Sequence, residues 1–304
     1  MIEKILVTLD GSEQSEAVVP YAVALAQGLS ASIVLLHVVD SAVEALMWDE
    51  GATIPDLDAI QRKYEEFARS YLGGWVTRLE ALGVPVATVS EAGRAATVIL
   101  QYAEANQPDL IALSTHGRSG LTRMVLGSVA WRIINGTESP VLVMHPREEP
   151  NEPVATLTDI LVPLDSSPLA EEVLPLAGTL AQALNLKMHL VMVVPSALEL
   201  AVGTDLVVYP GHVLDAARTV AQEYLQGVAA KLESQGREVI WQVLAGDPGG
   251  AIVDYSTAMT NNLVIMSTHG RSGFRRWALG SVTDRVIRTS HDPVIVIRST
   301  EGQD

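Results

Sequence analysis

Seven consecutive residues occur twice in this chain: Ser-Thr-His-Gly-Arg-Ser-Gly at 114–120 and again at 267–273. Gly-Ser follows each run at the same distance, as Gly127-Ser128 and Gly280-Ser281. The copies lie 153 residues apart, half the length of a 304-residue chain. Solenoid repeats recur every roughly 20–50 residues, so this spacing describes two copies of one domain. Packing alone seldom fixes seven loop residues, and the retained loop points to a ligand site.

The two halves can be laid side by side. Each opens on a short apolar run that ends in Asp: Lys4 to Asp10, and Asp159 to Asp165. Such runs predict buried strands. A Ser-rich turn and a helix follow, Ser15–Leu29 and Pro168–Leu184, with serines and acids suited to cap them. A second strand is predicted at Ser32–Val39 and Lys187–Val194. Next come irregular segments holding Pro55 or Pro210, then helices over about 58–82 and 213–234. Trp48, Tyr64, Phe67, Tyr71 and Trp75 fall here in the first copy, where they read as core or partner-packing residues. Third strands are predicted at Val84–Ser90 and Glu238–Leu244, and a glycine, Gly93 or Gly246, then precedes another helix. The fourth strands are Asp109–Ser114 and Asn262–Ser267. After the glycine loop come a helix from Ser128 or Ser281 and a last strand, Pro140–Met144 or Pro293–Ile297. Alternating helices and continuously apolar strands predict an α/β fold: two repeated doubly wound domains, each a parallel sheet flanked by helices. The boundaries read as 1–147 and 158–304 with a linker over 148–157.

Composition narrows the function. With no cysteine there is no disulfide, thiolate metal site or cysteine nucleophile. No apolar stretch reaches ~18 residues, so no membrane span is expected. The first residues do not follow a signal-peptide plan, and a cytoplasmic location is expected. A net charge of −16 repels nucleic acid. Yet three arginines and no acid lie between Ser114 and Arg132, and five arginines and one acid between Ser267 and Arg288. Either a small bound anion or a solvated helix face accounts for that.

In a doubly wound sheet, ligands sit beyond the carboxyl ends of the strands. The repeated loop leaves that edge, and Asp10 or Asp165 closes the first strand there. Gly117 and Gly120 let backbone approach a ligand. Gly127-Ser128 opens a helix, whose amides and dipole favour phosphate. Ser128 can cap the helix or meet a phosphate oxygen, and Arg118 or Arg271 can add charge. The pattern describes a polyphosphate cradle, or otherwise a tight strand-to-helix turn. It is neither a Walker A loop nor the dinucleotide glycine fingerprint.

These residues resemble the universal stress protein family, present in tandem over about 2–146 and 158–298. The family motif is Gly-x-x-Gly, nine residues, then Gly-Ser or Gly-Thr. Ser114-Thr-His-Gly117 with Gly127-Ser128, and Ser267-Thr-His-Gly270 with Gly280-Ser281, are similar to it. The strand ending in Leu-Leu-His-Val38 and the Pro-Val-Leu-Val last strand also look like the family. The resemblance implies a five-stranded sheet, bound ATP or another adenine nucleotide (ADP or AMP), and pairing through the last strands. That pairing would be a pseudo-dimer within the chain, with a homodimer as a further possibility. It implies adenosine contacts from Asp10 and Val38, or Asp165 and Val193. Phosphates would fall to Ser114, Gly117, Gly127 and Ser128, or to Ser267, Gly270, Gly280 and Ser281. The first motif glycine is serine in both copies. If that position needs a left-handed backbone, serine costs about 1 kcal/mol or more; if it does not, the hydroxyl adds a hydrogen-bond partner. Met192 replaces His37 in the second copy.

His116 and His269 read as structural or phosphate-side residues, since no orienting carboxylate is placed by spacing. No histidine pair has metal-ligand spacing on one helix, and Mg2+ would ride on the phosphates. No catalytic residue is identified. The leading expectation is a nucleotide-binding regulatory or stress-response protein with little or no hydrolysis. A nucleotide-free interaction module and an ATP-using enzyme are the alternatives.

Overall fold

The structure is a computed structural model, and it describes residues 2–39, 57–115, 126–146, 152–194, 196, 210–269 and 279–298. Trp48 and Pro55 lie outside these residues. The chain forms two compact units, the first running to Ala155 and the second from Thr156.

In the first unit the order is β1 (Lys4–Leu9), α1 (Glu13–Glu16), α2 (Val19–Leu29), β2 (Ser32–Val39), α3 (Leu57–Ala81), β3 (Val86–Ala92), α4 (Ala95–Asn106), β4 (Leu110–Ser114), α5 (Ser128–Gly136) and β5 (Val141–Met144). The second unit repeats it: β6 (Asp159–Pro163), α6 (Pro168–Glu171), α7 (Leu174–Leu184), β7 (Lys187–Val194), α8 (Pro210–Glu233), β8 (Val239–Ala245), α9 (Pro248–Ala258), β9 (Asn262–Ser267), α10 (Ser281–Thr289) and β10 (Val294–Ile297).

Among the described residues each unit has five strands, all parallel in their described pairings, in the orders β3-β2-β1-β4-β5 and β8-β7-β6-β9-β10. The central strand of the first unit reads as uninterrupted apolar residues because Ile5, Leu6 and Val7 are covered on both faces. The outer strands β3 and β8 mix exposed and half-buried residues instead. Chain order reverses between β1 and β4, and between β6 and β9. Backbone therefore diverges at the carboxyl ends of these pairs and leaves a crevice.

The sequence predicted one helix after each first strand, and the structure has two. Pro20 and Pro175 explain the break. A proline has no N–H and its ring collides with the carbonyl four residues earlier, which is Glu16 or Glu171, the last residue of α1 or α6. A new helix then starts with the proline in its first turn.

Leu35 on β2 is fully buried. Leu35→Ala is expected to lower the unfolding free energy of the first unit by about 2–5 kcal/mol, read as a shift in its urea midpoint.

Candidate functional site

The turn leaving each first strand is built around an aspartate. Oδ1 of Asp10 accepts from the Ser12 amide at 2.9 Å and the Ser12 hydroxyl at 2.5 Å. Ser12 Oγ in turn accepts from the Ser15 amide at 3.2 Å, capping α1. Asp165 and Ser167 repeat this at 2.9 and 2.6 Å, and Ser167 caps α6 through the Ala170 amide. Such Asx turns fix their carboxylate in place. The residue between is left-handed in both units: Gly11 at φ 84° and Ser166 at φ 66°.

Beside this turn, across the reversal of strand order, stands the end of β4. Ser114 pairs with Met144 as a strand residue. Neither Ser114 nor Ser267 is among the residues with left-handed backbone, so serine at the first motif position carries no strain. Among the described residues two buried side-chain polar atoms have no partner: Ser114 Oγ in the first unit and His269 Nε2 in the second. In the second unit the serine is satisfied, since Ser267 Oγ donates to the His269 carbonyl at 2.6 Å. Thr268 Oγ1 lies 3.1 Å from His269 Nδ1. Each unit thus leaves one orphaned polar atom at the exit of its fourth strand. Buried polar atoms without partners are uncommon in folded proteins.

The chain returns at Gly127. Its amide donates to the Thr115 carbonyl at 3.0 Å, as Gly280 donates to Thr268 at 2.8 Å. A Cβ at Gly127 would stand 2.5 Å from the Thr115 oxygen, and one at Gly280 2.7 Å from the Thr268 oxygen. These glycines therefore clamp the loop ends together, and their own amides are not available to a phosphate. Gly127 and Gly280 also hold the cap positions, with no side-chain cap bond, so Ser128 and Ser281 are first helical residues rather than caps. The first intrahelical bonds reach Trp131 and Asp284. Ahead of them lie the amides of Ser128, Val129 and Ala130, and of Ser281, Val282 and Thr283, the groups a helix start offers to an anion.

The basic stretches are partly consumed. Arg285 pairs with Asp247 at 2.8 Å and Arg288 with Asp284 at 2.7 Å. His116, Gly117, Arg118, Gly270 and Arg271 lie outside the described residues. Val38 and Val193 are half-buried near the ends of β2 and β7. Between Leu9 and Val38, His37 is buried and its Nδ1–H donates to the Leu9 carbonyl at 2.9 Å. Among the described residues no group of three His, Asp or Glu could hold a metal.

Sequence reasoning missed a tie that both units share. The Tyr71 hydroxyl on α3 donates to Glu16 at 2.8 Å, and Tyr224 on α8 donates to Glu171 at 2.8 Å. Burial and the Glu16 carboxylate push the Tyr71 hydroxyl well above the usual tyrosine range. The signal was available, since glutamate and tyrosine occupy matching places in both halves. Of the other aromatic residues expected to pack on α3, Tyr64 and Phe67 are exposed and Trp75 half-buried, so these three are not core. A separate chain of groups, Tyr255–His189–Asp159, joins at 3.0 Å per link at the amino end of β6.

The sequence model of the universal stress protein family matches residues 1–145 and 156–298. The chain belongs to the universal stress protein family. Universal stress protein MJ0531 of Methanocaldococcus jannaschii is 31% identical over 150 residues, covering 49% of this chain and 86% of that protein. Universal stress protein Slr1230 of Synechocystis is 24% identical over 314 residues, covering 98% of this chain and all of that one. The crystal structure of a universal stress protein from Archaeoglobus fulgidus shares the fold at TM-score 0.70 and 21% identity, covering 98% of this chain and 97% of that one. The universal stress protein fold is thus present twice. No helix among the described residues is long and apolar enough to cross a membrane.

Gly127→Ala and Gly280→Ala are each expected to destabilise by about 1–3 kcal/mol through backbone overlap. Gly73→Ala, on an exposed helical site with nothing near its Cβ, should stabilise by about 0.5–1 kcal/mol; urea melts read both signs. Because the folded state holds Tyr71 protonated, its share of stability is full below about pH 10, the unfolded tyrosine value, and falls as pH rises above it. Tyr71→Phe should therefore be less stable near neutrality but flatter in stability across the alkaline range.

Proposed function

We propose that each unit binds an adenine nucleotide at the crevice between its first and fourth strands, and that the chain is a nucleotide-responsive regulatory protein rather than a turnover enzyme. The observation that carries this reading is the orphaned polar atom at each fourth-strand exit, Ser114 Oγ and His269 Nε2, beside an unbonded helix start. A phosphate oxygen is the partner such a set fits, accepting from the hydroxyl or imidazole and from the first-turn amides.

ATP, ADP or AMP supplies phosphate at one end and ribose hydroxyls at the other. Asp10 and Asp165, held by their turns at the same edge, would accept from the ribose, with Val38 and Val193 against the base. In the first unit Ser114, Ser128 and the amides after Gly127 take the phosphates, with His116, Gly117 and Arg118 of the loop. In the second, His269, Ser281 and the amides after Gly280 do so, with Gly270 and Arg271; Ser267, whose proton goes to the His269 carbonyl, braces that strand exit instead. Mg2+ would be held by the phosphates, which neutralises charge that the acidic surface does not. A ligand so placed bridges the aspartate turn and the helix start of its unit.

The test is to denature freshly purified protein, quantify released nucleotide, and titrate the emptied protein with ATP and magnesium. Two equivalents per chain are expected. Ser114→Ala, which leaves the strand backbone alone, should weaken one of the two sites about fivefold, the scale of one hydrogen bond. A flat titration, with no nucleotide released, defeats the reading.

A further inference from the structure

One aromatic wall of the first unit has no counterpart among the described residues of the second. Phe67 and Tyr71 stand one turn apart on α3, with ring centroids 5.9 Å apart and planes within 3° of parallel. The His37 ring lies 6.2 Å from Phe67 and 5.7 Å from Tyr71, tilted against both. Two of these rings are fixed, Tyr71 by Glu16 and His37 by the Leu9 carbonyl. Glu16 closes the one-turn helix after the Asp10 turn, and His37 immediately precedes Val38. The wall therefore stands at the carboxyl edge, alongside the crevice.

Phe67 is the ring left open. It packs on Tyr71 yet remains 47% exposed, amid the polar neighbours Glu65, Glu66 and Arg69. A ring backed by another ring and open in front is a platform for a planar π system. Laying the halves in register puts Met192, Val220 and Tyr224 where the first unit has His37, Phe67 and Tyr71. The tyrosine keeps its glutamate partner. The open position stays apolar and outward, since Val220 is 61% exposed, but it has lost its π face.

We infer that Phe67 stacks on the nucleobase in the first unit, and that the second unit, with Val220 there, holds its nucleotide without a base-stacking contact. The inference rests on the nucleotide reading above. It makes the two sites unequal: one selects for an aromatic base, and the other reads chiefly phosphate and ribose.

The test compares wild type with Phe67→Val, Phe67→Tyr and Val220→Phe by calorimetric titration. The probes are magnesium ATP and sodium tripolyphosphate, which has no base. Phe67→Val is expected to weaken one ATP site about tenfold, the scale of one base–aromatic stack. It should leave tripolyphosphate binding unchanged. Phe67→Tyr should keep wild-type affinity, and Val220→Phe should tighten the weaker site. Where the base-free probe is too weak to titrate, rescue by tyrosine against loss by valine makes the same distinction. Wild-type ATP binding that Phe67→Val leaves intact overturns this inference while the nucleotide reading stands. Equal loss of both probes, or a tyrosine variant as weak as the valine one, also overturns it. A wild-type chain that binds no ATP defeats both.

Discussion

A central strand in a parallel sheet must be hydrogen-bonded on both sides and covered on both faces. β1 and β6 meet that demand by pairing with strands on either hand, β2 and β4 or β7 and β9. Everything at the candidate site follows from this. Because the two flanking strands are reached in opposite directions across the sheet, the chain parts above the central strand. Its aspartate turn and the exit of the fourth strand are then neighbours. The site residues are far apart in sequence and meet because the sheet leaves them no other arrangement.

Among the described residues, the ends of the stretch that leaves the fourth strand are joined through backbone, Gly127 to Thr115 and Gly280 to Thr268. Gly127 touches the Thr115 carbonyl so closely that no larger residue fits without displacement, and Gly280 does the same with Thr268. One contact thus sets where the helix starts and how its first amides point. A glycine that looks like a ligand contact in sequence is here a joint, and what it positions is the following turn of helix.

Much of this was legible in the sequence. Continuous apolar runs located the strands because both faces of a parallel sheet are dry, and the duplicated loop exposed the tandem architecture. Boundaries failed where one residue acted on the backbone: Pro20 and Pro175 cut a helix that periodicity alone ran together. Which residues share one edge was legible, as with Asp10 and Ser114, but the contacts they make there were not. That Ser114 lies in a strand, that Gly127 spends its amide on Thr115, and that Arg285 and Arg288 are already paired are facts of three-dimensional contact. The Glu16–Tyr71 tie spans two elements and shows in sequence only when one half is laid on the other.

Covalent duplication has a consequence of its own. Two copies that have diverged at His37 and Phe67 while keeping the same turn, clamp and tyrosine tie are locked into equal numbers. Separate polypeptides could be mixed in any ratio by expression. In this chain a unit with Phe67 always comes with one unit that has Val220 in its place, so any readout that compares the two is insensitive to how much protein the cell makes.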